Sequence, residues 1–133
     1  MLNLKVISPE KIVLEAECRS VTLPASDGQI TVYSNHAPLY TLIAPGEVVA
    51  RTEKGEISLG VGSGFANITA SGVTLLANFG VLTDEIDAAR AQDAKARAEE
   101  LIKNRKSEQD LALASAELSR SLVELKLASK RRN

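Results

Sequence analysis

The 133-residue chain has one cysteine, one histidine, one methionine and no tryptophan. A lone Cys18 excludes an intrachain disulfide framework and a cysteine-rich zinc site, since each needs several thiols. No apolar run approaches the roughly 20 residues required to span a bilayer as a helix, so no transmembrane helix is expected. Charge of one sign is missing too: 16 Lys and Arg face 17 Asp and Glu, a formal net charge of −1. That balance argues against nucleic-acid binding by neutralisation of many phosphates. Met1 to Glu10 reads as a β-like stretch, not as a signal peptide or an Arg-rich transit sequence. With 44% hydrophobic and 25% charged residues, the expectation is a folded, soluble chain of the cytosolic type.

Glycine, proline and aromatic residues are all absent beyond residue 80. From Asp84 onward the chain instead carries 10 acidic and 11 basic residues, against 7 and 5 in the preceding 83. Composition therefore breaks near Leu82–Asp84, and two units are expected, 1–82 and 83–133.

Before the break, apolar residues alternate at period two: Leu2, Leu4 and Val6; Ile30 and Val32; Ile57, Leu59 and Val61; Val73, Leu75 and Ala77. That period places one set of side chains on one face of a sheet. Turn signals separate the runs at Ser8-Pro9, Asp27-Gly28, Pro45-Gly46, Lys54-Gly55 and Ser71-Gly72. No helical segment interrupts the strands, as crossovers of a parallel sheet would require. The first unit is expected to be an antiparallel β-sandwich or barrel.

After the break the pattern turns helical. Thr83 is a fitting N-cap, with Asp84, Glu85 and Asp87 in the first turn, where the helix dipole favours negative charge. A run rich in Ala, Glu, Lys, Arg and Gln extends to about Lys103. The polar stretch Asn104-Arg105-Lys106-Ser107 breaks it, and Ser107 with Asp110 is similar to a capping box. Leu111, Leu118, Leu122 and Leu125 then suggest one apolar seam. Two helices with a short polar link imply an antiparallel hairpin. Between Ile86 and Leu101 the first helix has only alanines as apolar residues. Each alanine methyl contributes well under ~1 kcal/mol, against roughly 1.5–3 kcal/mol for a buried Leu. Such an arm either packs and stays or detaches cheaply as a switch.

These features resemble those of one family. Leu23-Pro24-Ala25-Ser26-Asp27-Gly28-Gln29-Ile30-Thr31-Val32-Tyr33-Ser34-Asn35-His36-Ala37-Pro38-Leu39 is similar to the Leu-Pro, acidic-Gly and His-Ala-Pro signature of the epsilon subunits of bacterial F-type ATP synthases. Pro45-Gly46, Gly62-Ser63-Gly64-Phe65, Glu85-Ile86-Asp87-Ala88-Ala89-Arg90-Ala91 and Ala114-Ser115-Ala116-Glu117-Leu118 resemble further motifs in the same order. Ala25 and Thr31 stand where glycine is common in that family, and Asn78 where an acidic residue is frequent. The resemblance implies a non-catalytic rotor subunit at the cytoplasmic face of a bacterial plasma membrane, peripheral and without direct membrane insertion. Its implied partners are the gamma subunit, the c-subunit ring and, when the hairpin is extended, the alpha/beta hexamer, whose ATP hydrolysis the hairpin would inhibit. A freestanding ATP-sensing module is the alternative; a small independent enzyme would need a catalytic constellation that the sequence does not display.

Several residues carry two readings. Asp87, Arg90 and Arg97 share a face of the first helix, and arginine suits phosphate through its planar fork of donors. The competing account is an i,i+3 ion pair between Asp87 and Arg90. The resemblance adds Arg120 to this candidate nucleotide set, but Glu124 falls where a second arginine occurs in tight ATP binders. A carboxylate there repels polyphosphate, so ATP is expected at most as a weak regulatory ligand, with no other cofactor. Asp27, Gln29 and His36 are implied contacts with the gamma subunit and c ring, in what reads as one loop; a turn histidine with local hydrogen bonds is the other account of His36. No cluster around His36 has metal-ligand spacing, so no metal is expected. A Cys18–His36 nucleophile pair would lack an orienting third group. Gly60-Val61-Gly62-Ser63-Gly64 lacks the Lys-Ser/Thr and helix of a phosphate loop, and close strand packing accounts for it. Lys126, Lys130, Arg131 and Arg132 form a basic end: a solvated terminus, or by resemblance the inhibitory contacts with the catalytic subunits.

Overall fold

Leu2, Leu4 and Val6 are wholly buried while Asn3 is exposed and Lys5 half-exposed, and the same alternation governs Val73, Leu75 and Ala77. The computed structural model describes residues 1–131, the last through its backbone alone. Ten strands come first: β1 Leu2–Ile7, β2 Ile12–Cys18, β3 Ser20–Ala25, β4 Gly28–Tyr33, β5 Leu39–Ile43, β6 Gly46–Thr52, β7 Gly55–Val61, β8 Gly64–Ile68, β9 Gly72–Ala77 and β10 Gly80–Leu82. They make up one compact unit, Met1–Leu82; a second begins at Thr83.

The strands form two layers that meet through β3. One layer runs β4-β3-β6-β7-β10 and the other β5-β8-β9-β1-β2, joined where Ala25 of β3 pairs with Ile43 of β5. Pro24 sits at this corner. Its carbonyl accepts the Ala44 N–H at 2.8 Å, and the Ser26 N–H donates to Leu42 O at 2.9 Å. A residue without an N–H is tolerated here because β6 has stopped pairing at Thr22 and β5 asks only for the carbonyl. The two inner faces bring together Leu2, Leu4, Val6, Val21, Leu23, Val48, Leu59, Ile68 and Leu75 as one core. At the far ends, Gly80 of β10 lies against the Val13 side chain of β2, so the layers close on each other. The fold is the expected sandwich.

One pairing departs from the all-antiparallel expectation. β1 and β9 are parallel, with Leu4 opposite Val73. A parallel pair needs a long connection, and here seven intervening strands supply it instead of a helix. The glycine-rich Gly60–Gly64 segment packs closely, as expected. A Cβ on Gly62 would collide with Asn78 Oδ1, and one on Gly64 with the backbone of Leu76 and Ala77.

The first α-helix starts later than Thr83. Thr83–Glu85 form a single 3-10 turn, and α1, Ala88–Lys103, is capped by Asp87, whose side chain accepts the Arg90 N–H at 3.2 Å. Thr83 is buried, and its carbonyl accepts the Ile86 N–H at 3.2 Å. Residues 104–107 link α1 to α2, Glu108–Arg131. Ser107 Oγ accepts the Asp110 N–H at 3.1 Å, the hydroxyl half of a capping box.

α1 and α2 pack against each other, and apart from Leu127 on α2 their buried positions are small. Ala91 and Ala98 recur every seven residues on α1; Ala114, Ser121 and Ala128 do so on α2. Half-buried Leu111, Leu118 and Leu125 interleave with the second series. Leu122, expected on the seam, is 48% exposed. The true stripe keeps a strict three-four spacing through Ser121, because residues of this size let two helix backbones approach. The Ser121 hydroxyl donates to Glu117 O at 2.8 Å, so its burial strands no polar group.

Gly64→Ala, which drives a methyl into the β9 backbone, should lower the unfolding free energy by about 2–3 kcal/mol in urea titration. Gly28 has a φ of +128° but open space around it, so Gly28→Ala should cost only about 1 kcal/mol. Equal losses would refute this account of the Gly64 contact.

Candidate functional site

Three of the four candidate nucleotide residues have their side chains committed within the helical unit itself. The Asp87 carboxylate caps α1 through the Arg90 backbone, not through the Arg90 guanidinium. Arg97 Nη2 lies 3.9 Å from Glu117 Oε1, an ion pair from α1 to α2. Arg120 Nε lies 3.6 Å from Glu124 Oε1 one turn further along α2. Glu124, singled out as repulsive to phosphate, therefore occupies Arg120 directly. Each arginine of the two pairs has a carboxylate at hand, and Arg90 is exposed on the first turn of α1.

Asp27, Gln29 and His36 do not share one loop. Ser26 and Asp27 form a tight hairpin turn, Gln29 lies in β4, and His36 follows that strand after Asn35, whose φ is 64°. At about 3.3 Å per residue, β4 holds Asp27 and His36 at opposite ends. The imidazole Nδ1–H donates to the carbonyl of Ala37 at 2.6 Å, the local bond foreseen for a turn histidine. Cys18 is wholly buried, and its thiol donates to Ala16 O at 3.6 Å. Burial pushes the Cys18 thiol up from its ordinary pKa, the Leu4 backbone opposing this weakly. The thiolate is disfavoured, and no Cys18–His36 pair forms. Among the described residues, no group of three or more His, Cys, Asp and Glu could hold a metal ion.

Lys126 and Lys130 are exposed on the last turns of α2. The Arg131 side chain and Arg132 lie outside the described residues.

The sequence reading missed the most prominent surface of the β unit. Leu42 pairs with Phe65, Phe65 with Leu76, Leu76 with Ile7 and Ile7 with Ile12. These five side chains form one row across β5-β8-β9-β1-β2, on the face opposite the core. A bulge beside Val13 sets Ile12 outward, 53% exposed, while Val13 and Leu14 pack on the core. Leu42 is 64% exposed and Tyr40, 63% exposed, stacks on Phe65 with ring centroids 5.3 Å apart. The signal was present in the sequence as adjacent apolar pairs: Val6-Ile7, Leu42-Ile43 and Leu75-Leu76 each feed both faces of one strand. The outer face of the other layer is polar. There Arg51 Nη1 donates to Thr22 Oγ1 at 3.1 Å, Thr22 and Thr31 hydroxyls lie 3.1 Å apart, and Arg51 Nε is 3.1 Å from Glu56 Oε2.

A β-sandwich followed by a helical unit is the two-part architecture of a known family. Residues 1–82 match the family model described as ATP synthase, Delta/Epsilon chain, beta-sandwich domain, and residues 84–129 the one described as ATP synthase, Delta/Epsilon chain, long alpha-helix domain. The chain belongs to the family of ATP synthase epsilon chains. The ATP synthase epsilon chain of Herpetosiphon aurantiacus is 33% identical over 132 residues, 99% of this chain and 97% of that one. Its counterpart from Moorella thermoacetica is 38% identical over 128 residues, 96% of each. Among solved structures, a chain of Euglena gracilis mitochondrial ATP synthase (OSCP/F1/c-ring in rotational state 1) matches with a TM-score of 0.76 at 20% identity, covering 96% of this chain and 81% of that one. One from the central stalk and c ring of Tetrahymena thermophila mitochondrial ATP synthase gives 0.57 at 11%, covering 96% of each. At these identities the structural likeness is one of fold alone.

Asp87→Ala should destabilise α1 by about 1 kcal/mol as a lost N-cap, read as faster amide exchange at Arg90 and Ala91. Asp87→Ser should largely restore protection. Unchanged exchange in the alanine variant would remove the capping role.

Proposed function

We propose that this chain is a non-catalytic central-stalk subunit of an F-type ATP synthase. In this reading residues 1–82 join the gamma subunit to the c ring, and residues 83–133 regulate ATP hydrolysis. The apolar row Leu42–Phe65–Leu76–Ile7–Ile12 carries the reading. Contiguous exposed apolar surface of this kind marks a protein interface, and it spans the breadth of one layer, as suits a part that must transmit torque without slipping. Asp27 and Gln29 at one end of β4 and His36 at the other extend the candidate rotor contacts beyond that row.

The helical hairpin fits a regulatory arm. Its buried seam is made largely of alanine and serine, each contributing well under ~1 kcal/mol, and the Arg97–Glu117 pair is solvent-exposed and adds at most about 1 kcal/mol. Lys126 and Lys130, with Arg131 and Arg132 beyond them, supply a basic end suited to acidic segments of an alpha/beta hexamer. ATP is at best a weak ligand, because Asp87 is spent on its helix cap and Glu124 sits on Arg120. The absence of catalysis is supported by a buried, unreactive Cys18 thiol and an imidazole bonded to its own turn. Location follows from the complex: peripheral, at the cytoplasmic face of a bacterial plasma membrane. In keeping with this, no helix among the described residues is long and apolar enough to cross one.

Leu42→Glu, at a side chain already exposed, should weaken binding to the gamma subunit more than 10-fold in a co-purification or calorimetric assay and leave the thermal transition unchanged. Wild-type affinity in that variant would discount the apolar row. Removing residues 84–133 from the assembled enzyme should raise ATP hydrolysis with assembly intact; unchanged hydrolysis would show that the hairpin is no brake.

A further inference from the structure

The β unit leaves the outer edge of β4 open along its whole length. Pro24 O and Ser26 N–H point to β5, and in a strand alternate residues point to opposite sides. The odd residues Val21, Leu23 and Ala25 therefore bond Val32, Ile30 and Gly28 of β4. Gln29, Thr31 and Tyr33 are left with their N–H and C=O groups directed away from β3. Among the described residues no backbone group pairs with them. The other two terminal strands are differently placed, since β10 and β2 approach each other at Gly80 and Val13.

Soluble proteins blunt such edges with lysine, proline, a bulge or a cover. β4 has none of these built in. Gly28-Gln29-Ile30-Thr31-Val32-Tyr33 contains no charge and no proline, and its register with β3 runs from Ala25–Gly28 to Ser20–Tyr33 without a shift. Its outward side chains are exposed, and Tyr33 offers a bare aromatic ring at one end. The strand lies between Asp27 and His36, so an occupant of the edge would also meet both ends of the candidate rotor contact.

We propose that β4 binds its rotor partner by strand addition: an extended, uncharged segment of the partner polypeptide pairs with the Gln29, Thr31 and Tyr33 backbone and continues the β4-β3-β6-β7-β10 layer. Main-chain hydrogen bonds supply the affinity in this mode, and alternate side chains the choice of partner. The Tyr33 ring selects a β-branched or aromatic residue opposite it. This rests on the adaptor reading above, with the gamma subunit as the partner to be tried.

Two measurements test it. In wild-type protein, amide exchange at Gln29, Thr31 and Tyr33 should slow at least 10-fold on binding the gamma subunit, while Ile30 and Val32, already bonded to β3, serve as internal references. Thr31→Pro removes the central outward donor and should weaken binding at least 10-fold; Thr31→Ala, which keeps the backbone, should bind within about twofold of wild type. Gamma binding with unprotected Gln29, Thr31 and Tyr33 amides would overturn the strand and leave the adaptor role standing. No gamma binding by wild-type protein would overturn both. Self-association abolished by Thr31→Pro would assign the edge to a second copy of this chain and refute the proposal as stated.

Discussion

The β unit depends on the corner at Pro24. Up to Thr22, β3 pairs with β6 in one layer; past Pro24 it pairs with β5 in the other. A single strand thereby belongs to both layers and fixes their separation, which the facing side chains Val21, Leu23, Val48 and Leu75 then fill. Gly46 lies close under Pro24, where an added Cβ would stand 3.0 Å from the ring, so the chain entering β6 is held against the same corner. Closure on the opposite side, Gly80 against Val13, leaves little freedom for one layer to slide over the other. A body of this kind moves as a piece, which is what a rotor adaptor has to do.

The helical unit is built on a different principle. Its inner seam alternates small buried residues with half-buried Leu111, Leu118 and Leu125, and Leu127 is the one large side chain of the two helices that is fully buried among the described residues. Asp87 and Ser107 start the two helices independently of anything outside the unit.

Much of this was legible in the amino-acid order. Period-two runs such as Leu2-Leu4-Val6 gave their buried face directly, and the end of glycine, proline and aromatics at residue 80 marked the change of architecture. Three things were harder to read. Thr83 and Asp87 are equally good caps on paper; the choice fell to Asp87 because Thr83 is buried in a 3-10 turn. Ser121 and Leu122 both continue a three-four pattern from Leu118, and hydrophobicity alone favours the leucine, but a close helix pair selects the smaller residue. The outer apolar row was hidden for a third reason: it consists of residues on five strands that lie far apart in sequence, so no local period reveals it until the register of each pair is known.

The parallel pairing of β1 with β9 has a consequence for how the molecule is made. Leu4 and Val73 meet across 69 intervals of chain, so the first strand translated keeps one side unsatisfied until nearly the whole β unit exists. Such long-range closure places folding toward the slow end for small domains. Until then, β1 has only β2 as a paired neighbour. Only the short β10 follows β9 before the helical unit begins, so the ribosome delivers the strand that seals β1 close to the end of the β unit.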